Sequence, residues 1–193
     1  MAYLAMILFV VVLLIVVGRN PLKKGRPIPT ISNPVLGVLN LIGPSAETDV
    51  KADLEQLTQY FSEVRQAYEA PPSCDVLLLY CNINRGGVVI GSTQRLGEII
   101  RDAGAVVAVV ATNNDAEDYG AAGPPYSTAN VVMTIDRRGP LLASMLAQLF
   151  AQMKSGISMG IAWVNLAPQC PGPEHKDLPG VVCALQYGQI AFR

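Results

Sequence analysis

The sequence predicts an α/β domain built on a parallel sheet with flanking helices, preceded by one N-terminal transmembrane helix. Three observations predict it. Residues 1–18 carry no charged side chain. Further on, apolar runs of strand length alternate with amphipathic stretches of helix length. The segment from Cys74 to Ala111 reads as strand, Gly-Gly turn, helix and strand, one βαβ unit whose strands run parallel with a right-handed crossover.

Ala2–Val17, with Met1 and Gly18, just reaches the roughly 17-residue lower limit for a spanning helix. No basic residue precedes the apolar run and no A-x-A cleavage pattern follows it, which favours a retained anchor over a cleaved leader. Arg19, Lys23, Lys24 and Arg26 follow, with no acidic residue before Glu47. This asymmetry places the C-terminal domain on the cytoplasmic side, or its organellar equivalent, in a single-pass topology. Residues 19–34 form a basic, Pro-rich linker, extended over Arg26–Pro34, and the domain proper spans 35–193.

Val35–Ile42 reads as the first strand, followed by the loop GPSAETD, which ends in a helix start. Val50–Ala70 reads as an amphipathic helix with Leu54, Leu57, Phe61, Val64 and Tyr68 on one stripe, stopped by Pro71-Pro72. Asp75–Cys81 is a continuous apolar run, suited to a strand buried on both faces. Asn82–Gly87 turns the chain. Ser92–Ala103 then places Leu96, Ile99, Ile100 and Ala103 on one helical face, and Ala105–Ala111 is a second buried strand. Thr112–Tyr126 is a polar, acidic loop; Ala129–Ile135 is a strand, Asp136–Pro140 a turn, and Leu141–Met153 a helix burying Leu142, Met145, Leu146, Leu149 and Phe150. Ile157–Leu166 is apolar and holds the single tryptophan, Pro168–Pro179 is an exposed loop, and Val181–Phe192 supplies one or two closing strands.

At 193 residues, 51% of them hydrophobic, the chain has room for one membrane element and one domain of ordinary size. A net charge of −1 gives no electrostatic basis for nucleic acid as a partner. Cys74, Cys81, Cys170 and Cys183 lack CxxC spacing, and one histidine does not make a zinc motif. Buried thiols in a reducing compartment fit this pattern. Asp115, Glu117 and Asp118 lack a second converging cluster and read as a solvated acidic loop, so neither metal nor cofactor is expected.

The order of parts resembles the Clp-protease/crotonase superfamily over roughly residues 35–145, with the membrane-anchored signal peptide peptidase A and serine dehydrogenase proteinase groups as the nearest likenesses. Asn82-Ile83-Asn84-Arg85-Gly86-Gly87 is similar to the family's Asn-Ser-Pro-Gly-Gly, and Val131-Val132-Met133 with Gly139-Pro140 resembles the strand and turn after the nucleophile helix. The resemblance implies an oxyanion-type backbone site at Gly86 and Gly87, a nucleophilic serine after the Ala105–Ala111 strand, and assembly into rings or trimers. Counting forward from the VVAVV strand puts the serine position on Ala116, and counting back from Val131 puts it near Tyr119. Neither is a nucleophile, and the carboxylates of Asp115, Glu117 and Asp118 would destabilise a developing oxyanion there. Ser127 is displaced by eight or more positions and reads as a loop or cap serine. His175 and Lys176, weak candidates for a general base, sit in a charged turn of a Pro-rich loop.

Two functions of different class follow. The first is a catalytically inactive, membrane-anchored serine-peptidase-like protein, a homo-oligomer or a structural subunit of a larger membrane complex. The alternative is a Rossmann-like nucleotide sensor whose loops at Gly43, Ser45, Asn84 and Arg85 hold the ligand and signal to the membrane helix; it lacks G-x-G-x-x-G and Walker sequences. An active peptidase with a displaced nucleophile ranks third.

Overall fold

The computed structural model describes residues 29–90, 92–115, 117–118, 129–137, 139–169, 180–186 and 188–193. The expected span 1–18, most of the linker, and Ala116, Tyr119, Ser127, Cys170, His175 and Lys176 lie outside them. No helix among the described residues is long and apolar enough to cross a membrane.

In chain order the elements are β1 (Thr30–Ile31), β2 (Val35–Asn40), α1 (Glu47–Leu57), β3 (Glu63–Ala67), β4 (Val76–Tyr80), β5 (Asn82–Asn84), β6 (Gly87–Ile90), β7 (Ser92–Gln94), α2 (Leu96–Ala103), β8 (Val107–Val110), β9 (Asn130–Thr134), α3 (Leu141–Lys154), α4 (Met159–Leu166), β10 (Val181–Ala184) and β11 (Ala191–Phe192). The central sheet has the order β10-β9-β8-β4-β2-β3; its first five strands in the chain are parallel, and β10 runs antiparallel to β9. The chain is therefore α/β with a mostly parallel sheet, as its long apolar runs predict.

Alternation along each strand divides the core in two. Leu36, Val38, Val76, Leu78, Tyr80, Val107, Val109 and Val132 face α1, α3 and α4, while Leu39, Leu77, Leu79, Ala108, Val110, Val131 and Met133 face α2. Helix α3 buries the five expected residues together with Ala143 and Met153. Helix α2 stops at Gly104, whose φ of 70° suits a glycine and whose N–H donates to the Ile100 and Arg101 carbonyls.

The structure differs from the sequence expectation in three places. The helix expected over Val50–Ala70 ends at Leu57; Thr58–Tyr60 tightens into a 3-10 turn and Phe61 is extended. Residues 63–67 then pair with β2 as the edge strand. The spacing of Leu57, Phe61 and Val64 fits a helical stripe, but the open edge of β2 supplies a ladder, and Phe61 turns inward against Phe150 with ring centroids 5.2 Å apart. Second, the helix expected from Ser92 begins at Leu96. Strands Asn82–Asn84, Gly87–Ile90 and Ser92–Gln94 form a three-stranded antiparallel meander, β5-β6-β7, that lays Ile83 and Val88 on the α2 side of the core. Third, Thr30 and Ile31, assigned to the linker, pair in parallel with Ala191 and Phe192 and so belong to the folded body.

The connection from β3 to β4 crosses the face of β2 at Gly37. A Cβ there would meet Cys74 Sγ at 2.5 Å and Cys74 Cβ at 2.9 Å, so the crossing is possible only over bare backbone.

Candidate functional site

The connection leaving β2 passes through α1 on one face to β3, and that leaving β4 passes through the meander and α2 on the other face to β8. The carboxyl ends of β2 and β4 thus flank the point where the winding reverses, the place where open parallel sheets hold ligands.

That place is occupied by the chain's own polar groups. Asp53 is fully buried on α1, on a stripe with Val50 and Leu57. Its Oδ2 accepts from the Tyr80 hydroxyl at 2.6 Å and from Arg137 Nη1 at 2.8 Å, and its Oδ1 accepts from Arg137 Nη2. Arg137 Nη1 also donates to the Ala111 carbonyl at the end of β8, at 3.0 Å, and the Arg137 backbone N–H donates to Asn113 Oδ1 at 2.6 Å. Arg137 Nε lies 3.8 Å from Asp49 Oδ1. The two-pronged guanidinium–carboxylate pair ties α1 to the turn before α3 beneath the tip of β4.

Burial opposes the charge on Arg137, but the hydrogen bonds and charge of Asp53, with Asp49 beyond, outweigh it and hold its pKa above the ordinary value. Burial first, and then the Asp53 charge, push the Tyr80 phenol far up, so it stays protonated and donates. Cys81, the next residue, is pushed up to about 12 by burial, which makes it a poor nucleophile.

The neighbouring loops are also internally satisfied. Asn40 Oδ1 accepts from the Ile42 and Gly43 N–H groups at 3.1 and 3.0 Å, and its Nδ2 donates to the Gly43 carbonyl at 2.9 Å and Glu47 Oε1 at 3.3 Å. This turn holds Gly43 at φ 79° and leaves Ser45 exposed in a 3-10 segment. Asn114 Oδ1 accepts from Ile83 N–H at 2.8 Å, and Thr112 Oγ1 donates to the Cys81 carbonyl.

Gly86 and Gly87 lie in the β5–β6 hairpin rather than before a helix. Asn84 is the strand partner of Gly87, and the Gly86 N–H donates to Asn84 Oδ1 at 2.8 Å. Gly87 has φ 135°, which is what its glycine serves. Arg85 pairs with Glu117 at 3.3 Å, both strongly exposed. The structure therefore gathers Gly43 and Ser45 at the end of β2 and sets Asn84, Arg85, Gly86 and Gly87 on the meander beyond β4.

Asp53 and Arg137 are the residues that sequence reasoning missed. A signal for Asp53 existed: it falls at i+3 from Val50 and i−4 from Leu57, on the apolar face. Arg137 in Asp-Arg-Arg-Gly-Pro carries no comparable signal.

No family model matches the chain, and no curated protein matches it.

Proposed function

We propose that the chain is a membrane-anchored, catalytically inactive relative of the Clp/crotonase serine peptidases, acting as a structural or assembly subunit of a membrane complex from the cytoplasmic side or its organellar equivalent. The observation that carries this reading is the filled carboxyl edge. Asp53, Arg137 and Tyr80 bond to one another in the crevice where an open parallel sheet would hold a ligand, with Arg137 Nε left without a hydrogen-bond partner among the described residues, and the Gly86 amide, the proposed oxyanion donor, is bound by Asn84. An oxyanion hole works by keeping donors unpaired for a charge that develops during reaction. Donors already paired within the fold serve the fold. A parallel order of β2, β4, β8 and β9 is what the resemblance implies for the sheet, and the apolar run over residues 1–18 with Arg19, Lys23, Lys24 and Arg26 behind it supports the anchor.

The test is labelling of the full chain in its own membrane with a fluorophosphonate probe, followed by native mass measurement in mild detergent. The expected result is no serine adduct and a particle of fixed stoichiometry, either with itself or with other chains. An adduct on any serine, Ser127 included, or a monomer under every mild extraction, overturns the reading.

A further inference from the structure

Helix α4, Met-Gly-Ile-Ala-Trp-Val-Asn-Leu, has no charged residue on any face. Met159, Ala162 and Leu166 are in the core, yet Ile161 and Val164, one turn apart on the opposite side, are 56% and 57% exposed, and Ile157 just ahead of the helix is 37% exposed. Asn165 is the one polar side chain on the exposed side, and the two large aliphatic side chains beside it form an uncovered apolar strip on a helix with no charge to hold it in water.

Its position says what covers it. Met159 N–H at the first turn donates to the Ile190 carbonyl at 2.8 Å, and the next residue, Ala191, donates to the Pro29 carbonyl at 3.0 Å. Gly160 N–H donates to the Gly188 carbonyl at 2.7 Å, so close that a Cβ on Gly160 would meet that oxygen at 2.8 Å. The start of α4 is thus fastened, two hydrogen bonds away, to the point where the polypeptide arrives from residues 1–28. Ten residues separate the end of the apolar run at Gly18 from Pro29, a reach over eleven residue steps of at most about 40 Å, and four of the first eight are basic. Lys154, which precedes Ile157 by three residues, and Arg193 are both exposed and share a groove with Asn33.

We propose that the exposed face of α4, Ile157, Ile161 and Val164, lies in the interfacial layer of an anionic bilayer, a second membrane contact that fixes the orientation of the domain over its anchor. The inference rests on the anchor reading above. An apolar helical face settles about 5–10 Å into the boundary between headgroups and acyl chains, strengthened by nearby basic residues on anionic lipid. Tethering by the anchor makes this a local event at high effective concentration, so a small face is sufficient.

Trp163 is the single tryptophan; it lies on α4 beside the exposed face, its side chain partly buried against the core, which gives the test a built-in reporter at the flank of that face. The full chain is reconstituted into phosphatidylcholine/phosphatidylglycerol vesicles with and without brominated acyl chains, and vesicle flotation and Trp163 emission are read together. The expected result is that the chain floats and that bromine near the upper acyl carbons lowers the emission below that in unbrominated vesicles, the face settling about 5–10 Å into the interface. An Ile161→Asp/Val164→Asp variant, altered only at exposed positions, floats with an unchanged thermal midpoint and loses most of the quenching. Flotation without quenching overturns the inference and leaves the anchor standing; failure to float overturns both. Quenching that survives the double substitution, or absent quenching with disulfide-linked dimers formed by Ile161→Cys, assigns the face to something other than lipid and overturns the inference as well.

Discussion

Replacing Arg137 with Met strips Asp53 of three of its contacts at once: the Nη1 and Nη2 hydrogen bonds and the compensating charge. Asp53 is 0% exposed and retains only the Tyr80 hydroxyl as a donor. Leaving one member of a buried pair alone costs about 3–5 kcal/mol. In a domain of this size about 1 kcal/mol moves the melting midpoint by about 2–4 °C, so the variant is expected to melt about 6–20 °C lower. The assay is thermal unfolding of the full chain in mild detergent, followed by circular dichroism. Removing both charges, as Asp53→Leu/Arg137→Met, is expected to recover part of the loss, because an apolar pair no longer leaves a buried charge uncompensated. What remains is the orphaned Tyr80 hydroxyl and Ala111 carbonyl, about 1–3 kcal/mol each, and adding Tyr80→Phe recovers the first of these. An Arg137→Met variant within about 1 kcal/mol of the parent, or a triple variant as unstable as the single, refutes the reasoning that this network is a closed structural unit.

Three further outcomes are expected. Gly37→Ala destabilises by about 1–3 kcal/mol in urea titration, and adding Cys74→Ala does not restore stability, because Cys74 Cβ already stands 2.9 Å from the new methyl. Asn40→Ala, which removes both side-chain caps of the turn into α1, lowers stability by about 1–3 kcal/mol and speeds amide exchange at Ile42 and Gly43 before any loss elsewhere. Burial raises the Cys74 thiol from 9.0 to about 11 and the Cys81 thiol from 9.0 to about 12. The folded chain therefore binds more protons than the unfolded one above pH 9; stability is intact below that value and falls as pH rises through 11 and 12. Urea midpoints measured across this range are expected to fall, and a Cys74→Ala/Cys81→Ala variant to show a shallower fall.

The buried parallel strands were legible because nothing competes with the reading of their residues. Leu77-Leu78-Leu79 and Val106–Val110 are too short for helices of their own and too apolar for loops, and the sheet holds both. Helix α3 was legible for the complementary reason, since Leu142, Met145, Leu146, Leu149 and Phe150 repeat at the helical period. Strand β3 was hidden because Leu57, Phe61 and Val64 satisfy a helical stripe as well as they satisfy a turn and an edge strand; the open edge of β2, a partner distant in sequence, decides between them. The meander was hidden by the shortness of its strands. Asn82–Asn84 and Ser92–Gln94 are too brief to display alternation, and the Asn84 side chain that closes the hairpin is visible only once the turn is formed. The Asp53–Arg137 pair joins positions far apart in the chain, and local pattern carries no information about such a meeting. Half of it was nonetheless announced by a carboxylate on an apolar stripe.

The pairing of β1 with β11 orders events in time. Phe192 packs against both Phe61 and Phe150, with ring centroids 5.9 and 5.7 Å away, and is positioned by a ribbon whose other strand is Thr30–Ile31. The aromatic cluster between α3 and the edge of the sheet is therefore complete only once residue 192 has been made, although its first member is made much earlier, and contacts between residues so far apart in sequence form slowly. Removing the β11 pairing would take Phe192 away from Phe61 and Phe150 and leave an apolar notch fitted to an added strand of the same kind.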